Sequence, residues 1–78
     1  MIDLNDYFYF VHVVEKRGFS PAARALNMPK SRLSRHVSQL EERLDTRLIQ
    51  RTSRHFKVTE AGQVFYQHAR ALIEEMEA

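Results

Sequence analysis

Four apolar residues, Leu33, Val37, Leu40 and Leu44, recur at intervals of four, three and four within the run KSRLSRHVSQLEERL. No other feature of the chain constrains its fold as much. The spacing places all four side chains on one face of a helix over Lys30–Leu44, and that face must be buried. At about 100° per residue, Ser31, Ser34, Arg35 and Ser38 fall on the opposite half, with Arg32 on its shoulder. A solvated helix face ordinarily mixes lysines with glutamates in i,i+4 pairs. Here the first two turns carry only cations and small hydroxyls, and the acids Glu41 and Glu42 come at the far end. Small hydroxyls let a backbone approach a surface closely, while Lys and Arg neutralise phosphates or read guanine edges. The plainer alternative is an exposed helix whose arginines form local ion pairs, and the flanking sequence decides between the two.

Upstream, Leu4, Tyr7, Phe8, Val11 and Val14 fit a helical stripe over residues 3–16, widened by Tyr9, Phe10 and Val13, with Asp3 able to cap the first turn. Gly18 is expected to end this helix through a positive φ, and Ser20-Pro21 to open the next with a capping hydroxyl and a proline at the first position. Residues 20–26 then form a short helix whose alanines 22, 23 and 25 permit close packing. Asn27 can take the left-handed conformation of a helix end, and Pro29 blocks continuation. A short alanine-rich helix, a tight turn and a longer amphipathic helix follow one another in the order of a helix-turn-helix. In that motif the N-terminal residues of the second helix contact base edges.

Downstream, Leu48, Ile49, Phe56 and Val58 flank the polar stretch Thr52-Ser53-Arg54-His55, a pattern that predicts a short hairpin. After a recognition helix such a hairpin is a wing, and Arg54 at its tip suits the negative potential of a narrow minor groove. From Thr59 a second long helix is predicted, with Thr59 as its cap, Glu60 against the positive end of the dipole and Gly62 as a mild weakness. Val64, Phe65, Ala69, Leu72, Ile73 and Met76 draw an apolar stripe along about 30 Å of it, more than a chain of this size needs to cover itself. That stripe points to a second subunit.

Seventy-eight residues allow a single modest core, so burial against a partner would help. The net charge of +2 conceals an asymmetry: residues 1–19 carry three acids and two bases, residues 20–57 nine bases and three acids, and residues 58–78 four acids and one base. A basic middle between acidic ends is the footprint of a domain whose centre faces a polyanion. No apolar run approaches a membrane span, and three acids before residue 16 are unlike a signal peptide, so a cytoplasmic protein is expected. The absence of cysteine removes disulfides, thiolate nucleophiles and zinc fingers together. Histidines 12, 36, 55 and 68 lack metal-ligand spacing, and neither a glycine-rich phosphate loop nor a nucleophile elbow is present. No enzyme and no cofactor are expected. A helical protein-interaction module is the alternative, but serines on the cationic face weigh against it, since a protein hot spot favours aromatic or apolar anchors.

The stretch FSPAARALNMPKSRLSRHVSQLEERLDTRLIQRTSRHFKVTEAG resembles the N-terminal DNA-binding domain of the LysR-type transcriptional regulators, with AA-x-x-L, SR ahead of LE-x-x-L, L-x-x-R and T-x-AG all present. The resemblance spans nearly the whole chain. It implies a mainly α fold: a winged helix-turn-helix of three helices plus a two-stranded β-hairpin wing over residues 1–58, then a dimerisation helix over residues 59–78. It also implies a homodimer on double-stranded DNA with an interrupted palindromic operator, and a small-molecule effector recognised only through a domain outside these residues. Ser20, Lys30, Ser31, Arg32, Ser34, Arg35, Ser38, Arg51, Ser53 and Arg54 are the expected DNA-facing residues, with Arg51, at the L-x-x-R position, in a phosphate-facing or structural role rather than as a base reader. Phe65, Ala69, Leu72, Ile73 and Met76 are the expected dimer contacts. Lys30-Ser31 stands where the family often has Gln-Pro, Asp45 where glycine is usual, and Ile49 where phenylalanine is usual.

Overall fold

The computed structural model describes residues 3–51 and 54–77. They form four helices, α1 (Leu4–Lys16), α2 (Phe19–Leu26), α3 (Lys30–Leu44) and α4 (Glu60–Glu77). Asp3 caps α1 as its position suggests, its carboxylate accepting the Asn5 N–H at 2.9 Å.

The first three helices end in the same way. Arg17, Asn27 and Asp45 each adopt the left-handed conformation, at φ 59°, 55° and 51°. In each case the N–H of that residue and of the next return to carbonyls in the last turn: Arg17 to Val14 and Gly18 to Val13, Asn27 to Arg24 and Met28 to Ala23, Asp45 to Glu42 and Thr46 to Glu41. This double return satisfies carbonyls that the helix end would otherwise leave unpaired. Asn27 plays the part expected of it, and Asp45 serves where a glycine is usual. The end of α1 differs from expectation: the left-handed residue is Arg17, one position before Gly18. Gly18 itself sits at φ 156°, ψ 159° as the N-cap of α2, a region that is almost exclusive to glycine. Consequently α2 begins at Phe19 rather than at Ser20-Pro21, and no side chain caps it. Pro21 in the first turn lacks an N–H that would have had no helical partner in any case.

The core consists of Phe10, Val13, Ala22, Ala23, Leu33, Val37, Leu40, Leu48 and Ile49. Leu33, Val37 and Leu40 are buried as their spacing requires, but Leu44 at the helix end stays 37% exposed. On α1 the buried face is set by Asp6, Phe10, Val11 and Val13, and Leu4 of the expected stripe is exposed. The ring of Phe65 on α4 fits between Tyr7 and Phe10, with centroids 5.0 and 5.6 Å away, and Ala69 is wholly covered. Two of the expected dimer contacts, Phe65 and Ala69, are therefore used inside the protomer to seat α4 on α1.

Of the expected hairpin little is seen. Among the described residues there is no strand, only an antiparallel bridge between Ile49 and Val58, beside a 2.9 Å bond from the Gln50 N–H to the Lys57 carbonyl. The Thr59 N–H likewise donates to the Leu48 carbonyl at 2.9 Å, while the backbone N–H groups of Leu48 and Ile49 point to the Glu41 carboxylate, at 2.7 and 3.0 Å.

Thr59 caps α4 by accepting the Gly62 N–H at 2.9 Å while donating to the Arg47 carbonyl at 2.6 Å. Gly62 is more than a tolerated weakness. A Cβ there would lie 2.2 Å from the Leu48 carbonyl oxygen and 2.7 Å from Val58 Cγ1, so only glycine lets α4 press against the backbone of residue 48.

Candidate nucleic-acid interface

The amphipathic pattern of α3 has a direct structural result: Lys30, Ser31, Arg32 and Arg35 are exposed, and Ser34 and Ser38 are half-buried beside them. Among the described residues, Lys30, Arg32 and Arg35 enter no ion pair. The second half of the same helix is treated differently. His36 Nδ1 lies 2.8 Å from Asp6 Oδ1 and Arg43 Nη1 lies 2.7 Å from Asp6 Oδ2, while Glu41 meets Arg47 at 3.3 Å and Arg51 at 2.9 Å. Buried acids thus neutralise cations at and beyond the C-terminal half of α3, and the charge at its start faces solvent.

Glu41 holds residues 47–51 in place. Burial pushes its carboxyl upward, but the Ile49 N–H, the Arg51 guanidinium and the Leu48 N–H outweigh that penalty and hold it below its ordinary value. Arg51 is correspondingly engaged inside the protein. Its Nη2 also donates to Ser38 Oγ at 3.3 Å, and its guanidinium carbon sits 5.1 Å above the Phe19 ring. Arg51 and Ser38 thus bind α3, α2 and the segment after α3 together, the structural one of the two roles expected of Arg51.

Ser20, Lys30, Arg51 and Arg54 border one open groove between the start of α2 and residues 49–56. A second groove, bordered by Ser20, Arg24, Asn27 and Lys30, follows the turn between α2 and α3. Arg24, which the sequence pattern did not single out, is exposed there; its place in the last turn of α2, ahead of the turn, was the available signal. Ser20, although it does not cap α2, is common to both grooves. Arg54 is exposed beside the first groove, and Ser53 lies outside the described residues. The arrangement is a convex helix start bearing three uncompensated cations and small hydroxyls, flanked by two grooves with further basic edges. Such a surface suits a polyanion with a groove wide enough to admit a helix.

Along α4, Leu72 is 36% and Met76 62% exposed, and Ile73 is half-buried. Together with Leu4, Tyr7 and Phe8 of α1 they border a shallow apolar groove. Among the described residues, no three His, Cys, Asp or Glu side chains form a metal-binding group, and no helix is long and apolar enough to cross a membrane.

Comparison with known proteins gives a consistent result. Residues 4–63 match the family described as bacterial regulatory helix-turn-helix protein, lysR family. The chain is 47% identical over 75 residues to an HTH-type transcriptional regulator of Xanthomonas campestris pv. campestris (strain 8004), an alignment covering 96% of this chain and 22% of that protein. Its structure is similar to that of the BenM DNA-binding domain in complex with catB site 1 DNA, with a TM-score of 0.93 and 39% identity over 97% of this chain and 85% of that one. Full-length BenM carrying R156H gives a TM-score of 0.92 at 39% identity, over 97% of this chain and 25% of that one. The chain spans less than a quarter of the length of the first of these relatives.

Proposed function

Since the chain belongs to the lysR family of bacterial regulatory helix-turn-helix proteins, we propose that it is the sequence-specific DNA-binding domain of a transcriptional regulator, with α3 entering the major groove of double-stranded DNA. The observation that carries this reading is the uncompensated charge at the start of α3, where Lys30, Arg32 and Arg35 stand among serines with no acid in the first turn. Lys30, Ser31, Arg32, Ser34 and Arg35 contact bases and phosphates. Ser20 and Arg24 follow the phosphate backbone, and Arg54 reaches the adjacent minor groove.

Residues 1–58 form the DNA-binding unit and residues 59–78 the linker helix. Two copies pair through the apolar ridge of Leu72, Ile73 and Met76, so the operator is an interrupted palindrome with half-sites related by the two-fold axis. Similarity to BenM, whose DNA-binding domain is held on a DNA site in its complex, supports this reading.

The test is selection from a random duplex pool, followed by equilibrium binding of the enriched duplex and a scrambled control at two salt concentrations. Enrichment of a two-fold site, with affinity falling steeply as salt rises, is the expected result. Arg35→Ala should weaken the selected duplex by about 1–3 kcal/mol and narrow its advantage over the control if Arg35 reads a base. No enrichment, or affinity indifferent to salt, would refute the proposal.

A further inference from the structure

We propose that Asp6 is a positioning residue for sequence discrimination, its buried carboxylate fixing the rotation of α3 through His36 and Arg43. The inference rests on the reading of α3 as the helix that meets base edges. Asp6 lies on α1, outside that surface, and is fully buried. Its two oxygens are divided between two partners on α3: Oδ1 accepts from His36 Nδ1 at 2.8 Å, and Oδ2 accepts from Arg43 Nη1 at 2.7 Å. Residues 36 and 43 are two helical turns apart, about 10 Å along the axis. One carboxylate therefore grips the helix at two heights on a single face. The His36 ring is further held against Tyr9, with centroids 4.7 Å apart, and its neighbour in sequence is Arg35.

Apolar burial of Leu33, Val37 and Leu40 dictates which face of α3 turns inward, but hydrophobic attraction is non-directional and leaves small rotations open. Hydrogen bonds are directional and short-ranged. A rotation of about 10° moves a side-chain tip roughly 6 Å from the helix axis by about 1 Å, more than the roughly 0.5 Å window of donor–acceptor distances that a base contact allows. A buried charge is a poor way to gain stability, because desolvation offsets most of the attraction. Its distinctive contribution here is angular: two charge-assisted bonds set α3 at one rotation out of the several that aliphatic packing would accept.

The experiment uses the duplex selected by the unaltered chain and a scrambled duplex of equal composition, and reads the ratio of the two affinities. Any loss of folded fraction lowers both affinities equally and cancels from that ratio, which separates positioning from simple stability. Asp6→Asn should reduce the ratio by about tenfold, the scale of one lost base contact, with the salt dependence unchanged. Arg43→Gln should reduce it in the same direction, and the double variant should be no worse than Asp6→Asn alone, since both act through one clamp. Equal weakening on both duplexes, or additive losses in the double variant, would overturn the proposal. If Asp6→Asn does not fold, His36→Gln and Arg43→Gln, with side chains 27% and 45% exposed, make the same test. Arg35→Ala is the control: an unchanged ratio in that variant would overturn the base-reading role of α3, and the proposal with it. A reduced ratio in Arg35→Ala beside an unchanged one in Asp6→Asn would overturn the proposal alone.

Discussion

Replacing Glu41 by Gln and by Ala should destabilise the chain to sharply different extents, and the difference follows from which oxygen does what. Glu41 Oε2 accepts both backbone bonds, from Leu48 at 2.7 Å and Ile49 at 3.0 Å, whereas Oε1 faces Arg51 at 2.9 Å and Arg47 at 3.3 Å. Gln can keep its carbonyl oxygen at the Oε2 position and lose only the ion pairs. The Arg47 pair is long and its side chain 63% exposed, so it contributes little, and the Arg51 pair dominates at about 1–2 kcal/mol. Ala removes the acceptor for two buried N–H groups as well, at about 1–3 kcal/mol each, which brings its cost to about 3–8 kcal/mol. Against a total stability of about 4–12 kcal/mol for a chain of this size, the first variant is a clear shift and the second approaches loss of the fold. Urea unfolding followed by circular dichroism measures both, and equal losses for Gln and Ala would refute the assignment of the two oxygens. The same carboxylate predicts an acid limb. Because the folded state holds Glu41 below its ordinary value, its contribution is full above the unfolded carboxyl range near pH 4–5. That contribution disappears as pH falls through the folded value. The acid loss of stability should be shallower in Glu41→Gln than in the unaltered chain, and parallel curves would contradict this.

Three further substitutions test other parts of the fold. Gly62→Ala should lower stability by about 1–3 kcal/mol despite the roughly 1 kcal/mol gain in helix propensity, because the new methyl would overlap the Leu48 carbonyl; a raised melting temperature would show that α4 does not press on that backbone. Asp45→Gly should be neutral or stabilise by up to about 1 kcal/mol by relieving the left-handed strain, and a loss above 1 kcal/mol in urea unfolding would mean that the Asp45 side chain has a role of its own. Leu72→Glu should preserve the circular dichroism spectrum but abolish dimers in sedimentation analysis, since it charges the exposed ridge of α4; an unchanged mass of the dimer would reject that ridge as the interface.

The helices could be read from the sequence because their ends carry local chemistry. Asp3, Asn27, Pro29 and Thr59 mark boundaries through their own backbone preferences, and Leu33, Val37 and Leu40 identify the inward face of α3 without reference to anything distant. What could not be read required knowing which segments meet. The run YFYFVHVV is apolar on nearly all sides, so only the packing of α3 and α4 decides that Phe10 and Val13 face the core while Leu4 does not. The same ignorance hid Phe65 and Ala69, whose apolar spacing fits a partner subunit as well as it fits α1. Gly62 looked like a weakness because the Leu48 backbone that requires it is 14 positions upstream. The hairpin pattern around Ile49 and Val58 was sound as alternation, and these two residues do pair, but only as a single bridge. Asp6 carried one faint signal, an acid placed one turn before Phe10 and two before Val13 on the same face. Position alone does not say that such an acid will find Arg43.

The cations at the start of α3 are the clearest case of a local choice that works against the fold. Lys30 and Arg32 lie in the first turn, at the positive end of the helix dipole, and neither an acid nor a capping side chain offsets them. Each placement is unfavourable by a few tenths of a kcal/mol or more for the isolated helix. Five other basic residues are paired: Arg43 and His36 share Asp6, Arg51 and Arg47 share Glu41, and Arg70 meets Glu15 at 2.7 Å and Glu74 at 3.5 Å. Compensation is thus available in this fold, and is missing where the helix start projects into solvent. Helix dipole and side chains there add to one positive field, which disfavours the free domain slightly and favours any phosphate brought against it. A conflict between local stability and global arrangement at an exposed site is the physical mark of a surface shaped for a ligand rather than for folding.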